Sequence, residues 1–244
     1  LGLLWLDGRA TTPTAAHGDG HGAGGAMTVR AATYDASWTQ TSDAAIDLRA
    51  CDCCPTTVAM TADGPIAAWR DRTPDEVRDI VVSRLEGDRW SAPTTVHDDG
   101  WRIQACPVNG PMLAAHERVV VIAWFTAVGD VGHAYVAFSA DAGRTFGAPI
   151  RLDDAAALGR VDVALLPDGA ALASWIDLRG TDATFAVRRV TAEGTRSAVM
   201  PVSRLDHSRG SGYPRLAVHG HEVTFAWTEP GNGSSTVRTD AARV

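Results

Sequence analysis

Apolar positions along this chain fall in short runs rather than in long stripes. PIAAW (65–69), VVVIAWF (119–125), AALASWI (170–176) and EVTFAW (222–227) are separated by segments rich in Gly, Pro, Asp and Asn. Runs of this length between turn formers read as strands. No segment sustains a 3.6-residue period between caps, so the pattern predicts an all-β protein with almost no helix.

The tryptophans set a period. Trp5, Trp69, Trp124, Trp175 and Trp227 are spaced by 64, 55, 51 and 52 residues. The last four each follow a turn signal, ADG, HER, PDG or HGH, and a short apolar run. A repeat of about 50 residues holding four strands is the signature of a β-propeller blade. The repeat divides the chain, a single domain over 1–244, into units at about 54–99, 106–153 and 160–205, with partial units at 1–50 and 213–244. The first unit lacks an inner strand and the last an outer one. This suggests that N-terminal sequence is missing, because an open propeller exposes sticky strand edges.

Composition narrows the function classes. The 244 residues are 45% hydrophobic and 21% charged, with a net charge of −7. An acidic chain of this kind argues against a nucleic-acid surface. No apolar run approaches the roughly 20 residues of a membrane span. The chain begins at Leu1 in an apolar run, LGLLWL, which reads as a processed or trimmed start.

A second pattern runs across the blades. SADAGRTFGAP (139–149) and SRLEGDRWSAP (83–93) share Ser, Gly, an aromatic, Ala and Pro at the same offsets. Ser139, Asp141, Gly143 and Phe146 complete the pattern S-x-D-x-G-x-x-[FW]; in the other copy Leu85 replaces the Asp. This resembles the Asp-box, or BNR repeat, of the sialidase superfamily. The resemblance implies a six-bladed propeller in which the motif is a structural hairpin: its Asp accepts backbone N–H groups and its Gly supplies a positive φ. It also implies that sites lie on the opposite face, where the loops between blades meet those between second and third strands.

All four cysteines fall on loops of that face: Cys51, Cys53 and Cys54 in RACDCCPT, and Cys106 in ACPVNG. Cys54 and Cys106 hold the same place in adjacent blades. An even count favours staples, with one of the trio joined to Cys106 across blades and the other two paired locally. Two alternatives are a redox role and a soft-metal site. Thiols of this kind suit Cu or Zn, and His17 and His21 of HGDGH add imidazoles to the candidate set.

The resemblance also frames a catalytic reading. Sialidase chemistry needs arginines to hold a carboxylate, a tyrosine nucleophile activated by Glu, and an Asp acid/base. Candidates here are Tyr213, Asp71, Arg160 and Arg215, with Glu76 as the partner on a long loop. Asn109, Trp101, Arg160 and Tyr213 are candidate ligand contacts. The leading expectation is an extracytoplasmic propeller, periplasmic or secreted, that binds a small molecule, glycan, protein ligand or metal at its funnel, or serves as a scaffold. The rival is an exo-sialidase or related glycoside hydrolase. The expected cofactor is none or a soft metal.

Overall fold

The computed structural model describes residues 1–11, 26–231 and 233–244. The predicted ligands His17 and His21 lie outside the described residues. Among the described residues nineteen strands build five antiparallel sheets, each a meander in chain order. The first holds β1 (Gly2–Asp7), β2 (Met27–Tyr34) and β3 (Gln40–Ala50). The second holds β4 (Thr57–Thr61), β5 (Gly64–Arg70), β6 (Ile80–Glu86) and β7 (Arg89–Trp90), with β8 (Thr94–Thr95) also pairing with β6. The third holds β9 (Met112–His116), β10 (Val119–Thr126), β11 (His133–Ser139) and β12 (Ile150–Arg151). The fourth holds β13 (Ala156–Leu165), β14 (Ala171–Arg179), β15 (Asp182–Val190) and β16 (Met200–Leu205). The fifth holds β17 (Arg215–His219), β18 (Glu222–Pro230) and β19 (Ser235–Arg243). The only helix among the described residues is two three-residue 3-10 turns, Val128–Asp130 and Arg209–Ser211.

The inner strands β4, β9, β13 and β17 adjoin one another in succession. The sheets therefore fan about a common axis as the blades of a β-propeller. Trp69, Trp124, Trp175 and Trp227 lie on the second strands β5, β10, β14 and β18, whereas Trp5 lies on β1, the first strand of its sheet. By the tryptophan register, β1 corresponds to the second strand of the other blades.

The apolar runs are continuous because second strands are covered twice. β10 and β14 are buried along almost their whole length, sandwiched by neighbouring blades. Strands covered on both faces read as unbroken apolar text rather than as alternation. The core is accordingly a series of wedges between blades. Val29, Trp69 and Val81 pack between the first two sheets, and Ile66, Ile122 and Trp124 between the second and third. Val121, Val161 and Trp175 follow between the third and fourth, and Leu172, Phe185 and Phe225 between the fourth and fifth. Burying each such side chain contributes about 1.5–3 kcal/mol.

Each buried indole N–H needs an acceptor. Trp5 donates to Asp7 and Trp175 to Asp177, two residues along the same strand. Trp69 instead donates to Asp47 on β3, and Trp124 to Asp99 in the β8–β9 connection. Those two bonds stitch neighbouring blades together.

The β11–β12 hairpin lies at the end of the propeller opposite the cysteines. The Asp141 carboxylate accepts N–H bonds from Arg144 and Thr145 and hydroxyl bonds from Ser139 and Thr145. Those bonds outweigh burial and hold its pKa down at about 2. Gly143 has φ +78° and a Cβ there would strike Ile66. The β2–β3 hairpin is built in the same way around Asp35, which accepts from Ser37 and Thr39.

Candidate functional site

The connection from β3 to β4 carries three of the cysteines. Cys51 is bridged to Cys54, with Cα atoms 5.6 Å apart, and Cys53 to Cys106, with Cα atoms 6.2 Å apart. One bridge is local and one joins adjacent blades. In this oxidised state no cysteine is free, so no thiolate is available for the predicted soft metal. The loop is fixed at its start, where the Cys51 N–H donates to the Arg70 carbonyl and Ala50 bridges to Asp71. Asp52 is fixed by an ion pair with Arg72 at 2.8 Å. Pro55 packs so closely on the segment after Cys106 that a side chain at Gly110 would collide with its carbonyl.

That segment, residues 106–110, is a hub. The Val108 carbonyl accepts the Tyr213 phenol at 2.6 Å, and the Cys106 carbonyl accepts Arg209 at 3.3 Å. The Asn109 carbonyl accepts Arg70 at 2.6 Å. The Asn109 side chain bonds the Leu158 carbonyl and accepts the backbone N–H of Arg160 at 2.7 Å. Val108 has φ +53°, a strained value for a β-branched residue. Strain of this kind survives only where the surroundings impose it.

Arg160 is presented by a bulge in β13, between the Gly159 and Asp162 pairings. Gly159 has φ +82° and Arg160 φ +53°. A Cβ at Gly159 would occupy the space of the Asn109 carboxamide. Bulges re-aim side chains in this way. Among the described residues the Arg160 guanidinium bonds only the Ser208 carbonyl at 3.1 Å, and its Nη1 is buried with no partner. Burial pushes its pKa down, with Arg209 adding to the effect and Tyr213 opposing it. Arg215 completes the group, its guanidinium carbon 6.0 Å from the centre of the Tyr213 ring. Its nearest carboxylate, Asp162, is 3.8 Å away and is pushed up in pKa by burial. Arg160, Arg209 and Arg215 thus all act electrostatically on one phenol, and among the described residues Asp162 is the carboxylate paired with Arg215. Burial raises the Tyr213 pKa while the three arginines pull it back, and the phenol remains a donor at neutral pH.

The catalytic expectation for Tyr213 meets a different geometry. No carboxylate among the described residues hydrogen-bonds to it. Glu76, its expected partner, is engaged by Arg72 at 2.9 Å and Arg78 at 2.6 Å, with Arg49 at 3.8 Å. Asp71 sits in the same β5–β6 loop, its carboxylate accepting the Arg72 N–H and its pKa raised by burial. That loop belongs to the second blade, whereas Tyr213 precedes β17 of the fifth.

Trp101, predicted as a ligand contact, is a core residue instead. It is 6% exposed, edge-on to Phe125 at 5.6 Å, with the Arg70 guanidinium 4.9 Å over its ring. Asn109 is 7% exposed and fully engaged, so it positions Arg160 from behind. Arg70, in WRDR (69–72), is a residue that the sequence pattern does not single out. It is buried and donates to the carbonyls of Asn109, Arg78 and Phe125, binding the second blade to the third. Burial lowers its pKa to about 9, against the pull of Asp99 and Asp79, and it stays charged at neutral pH.

No protein-family model matches the sequence, and no curated protein matches it. Solved structures do. A protein of unknown function from Dyadobacter fermentans aligns over 99% of this chain and 75% of its own, at TM-score 0.62 and 13% identity. The GH93 α-L-arabinofuranosidase of Fusarium graminearum, solved with arabinobiose, aligns over 99% and 76%, at TM-score 0.59 and 14% identity. The Hadza microbial sialidase Hz136 aligns over 89% of this chain, at TM-score 0.53 and 16% identity. The chain spans about half the length of that sialidase, 53%. The fold is that of the glycosidase β-propellers. At these identities the likeness extends to architecture alone.

Proposed function

We propose that this chain is an extracytoplasmic, glycan-recognising propeller that holds the carboxylate of an anionic sugar on Arg160, Arg209 and Arg215, beside Tyr213. The observation that carries this reading is the Arg160 guanidinium, buried at Nη1 without an acidic partner among the described residues and aimed by a strained bulge. A planar guanidinium lacking its own carboxylate is matched by one brought in by a ligand. The site then presents hydrogen-bond donors from arginines on the fourth and fifth blades. Two disulfides that use every cysteine fit an oxidising compartment. No helix among the described residues is long and apolar enough to cross a membrane.

Calorimetric titration tests this reading. N-Acetylneuraminic acid should bind, its methyl ester should bind roughly tenfold or more weakly, and Arg160→Gln should lose a similar factor, the scale of one charged hydrogen bond. Equal affinity for the acid and a neutral sugar would remove the proposal.

Hydrolysis is a second reading, favoured by the glycosidase neighbours and by the raised pKa of Asp71, which suits a general acid. Turnover of fluorogenic sialosides and arabinofuranosides, abolished by Asp71→Asn, would support it. Absence of turnover on both would leave the binding reading alone.

A further inference from the structure

The four cysteines do more than join two loops. The sulfurs of Cys51, Cys53 and Cys54 all lie within 4.8 Å of one another, and those of Cys51 and Cys53, which belong to different bridges, are 4.0 Å apart. Cys106 is bonded to Cys53, so the fourth sulfur adjoins the same cluster. Four thiolates around a tetrahedral d10 cation sit about 3.8 Å from one another, given metal–sulfur distances near 2.3 Å. The folded chain has brought its sulfurs to nearly that spacing.

We propose that, once reduced, this cluster binds one soft d10 cation, Zn(II) or Cu(I), through Cys51, Cys53, Cys54 and Cys106. The chemistry of the donor set selects the ion, since thiolates favour Zn and Cu(I) over Mg and Ca. Asp52, the one carboxylate within the motif, is engaged by Arg72 and leaves an all-sulfur set. Cys51 and Cys54 are each 1% exposed, whereas Cys53 and Cys106 are half-buried, so the site has a buried side and a side open to an incoming ion. The backbone would hold without the bridges: Cys51 is bonded to Arg70, Ala50 to Asp71, and Pro55 is clamped against Gly110. Arg209, which donates to the Cys106 carbonyl, offsets part of the negative charge of four thiolates.

The balance of the reaction is as follows. Two equivalents of a dithiol reductant deliver four electrons and four protons, cleave both bridges and leave as two disulfides. The metal then displaces the four thiol protons as it binds. The bridged form and the metal form are thus alternative states of one site.

The experiment compares oxidised protein with protein reduced by a phosphine and kept anaerobic. Each is titrated with Zn(II), with Cu(I) supplied as a chelate, and with Co(II) as a spectroscopic stand-in for Zn. The reduced protein should take up one ion per chain, with sulfur-to-cobalt charge transfer and tetrahedral cobalt bands, and the oxidised protein none. Cys53→Ser and Cys106→Ser, each reduced, should bind roughly tenfold or more weakly, the scale on which metal sites lose affinity when their surroundings are altered. Circular dichroism follows the strands throughout. The proposal is overturned if reduced, folded protein takes up no ion or if the serine variants bind as tightly. It is equally overturned if reduction abolishes the strand signal, because the blades must hold the sulfurs together. None of these readouts depends on sugar binding.

Discussion

The phenol of Tyr213 donates its hydrogen to the backbone carbonyl of Val108 at 2.6 Å, across 105 residues of sequence. That bond ties the loop before the fifth blade to the one before the third. It also commits the hydroxyl to holding structure. Tyr213→Phe should therefore lower affinity for a carboxylated sugar by about threefold or less, far less than Arg160→Gln, as calorimetry would show. A nucleophilic tyrosine predicts the opposite: a phenylalanine that leaves binding intact and eliminates turnover.

Replacing Gly159 by Ala tests the bulge. The new methyl group needs the left-handed backbone at φ +82° and the space of the Asn109 carboxamide. Loss of about 1–3 kcal/mol of stability is expected by denaturant titration. Affinity for the acidic sugar should fall in parallel, since Asn109 holds the Arg160 backbone.

Arg70→Met removes a buried cation that serves three carbonyls on two blades. The methionine fills much of the volume but leaves Asn109, Arg78 and Phe125 without their donor. The cost should be about 3–5 kcal/mol, the scale of breaking a buried charged network. Thermal unfolding followed by tryptophan fluorescence would measure it. A change below about 1 kcal/mol would show that water replaces the guanidinium.

Asp141 links stability to pH. Its folded pKa of about 2 lies below the ordinary 3.8, because the hairpin's hydrogen bonds favour the carboxylate. A depressed acid gives its full contribution above the unfolded pKa and loses it as pH falls through the folded one. The wild type should therefore lose stability between about pH 4 and pH 2 more steeply than Asp141→Asn, which should itself be about 1–2 kcal/mol less stable at neutral pH. Parallel acid titrations of the two proteins would exclude this role for the hairpin.

The bridge between Cys53 and Cys106 closes a loop spanning 53 residues. Opening it with Cys106→Ser should cost about 2–4 kcal/mol by restoring freedom to the unfolded chain. Because Cys106 through Asn109 supports Arg209, Tyr213 and Arg160, the variant should also bind the acidic sugar more weakly at temperatures where it remains folded.

The repeating strands were legible because Trp69, Trp124 and Trp175 are each wholly buried at the same place in a blade, and a single packing requirement repeats as a single spacing. The split between a local and a cross-blade bridge was legible too, from the even count, but the partner was not: Cys106 bonds Cys53 and not Cys54, the residue that matches its place in the blade. What resisted reading was the fate of individual charges. Glu76 reads as a partner for tyrosine, but three arginines from its own surroundings reach it first. Trp101 reads as a loop aromatic, yet Arg70 and Phe125 enclose it. Pairings of this kind depend on which loops meet in space, and a linear pattern holds no record of that. Arg160 was legible as a candidate, while the bulge that aims it was not, since a lone Gly159 before it carries many meanings.

The indole tethers of Trp69 and Trp124 cross from one blade to the one before, whereas that of Trp175 closes within its own strand. Unzipping is consequently uneven along the ring. The first three blades share their fastenings and must let go in concert, so their slowest-exchanging amides should report a common opening free energy. The fourth closes its indole within itself and is held to the third by Asn109 and their shared apolar wedge instead, so its opening free energy should differ from theirs.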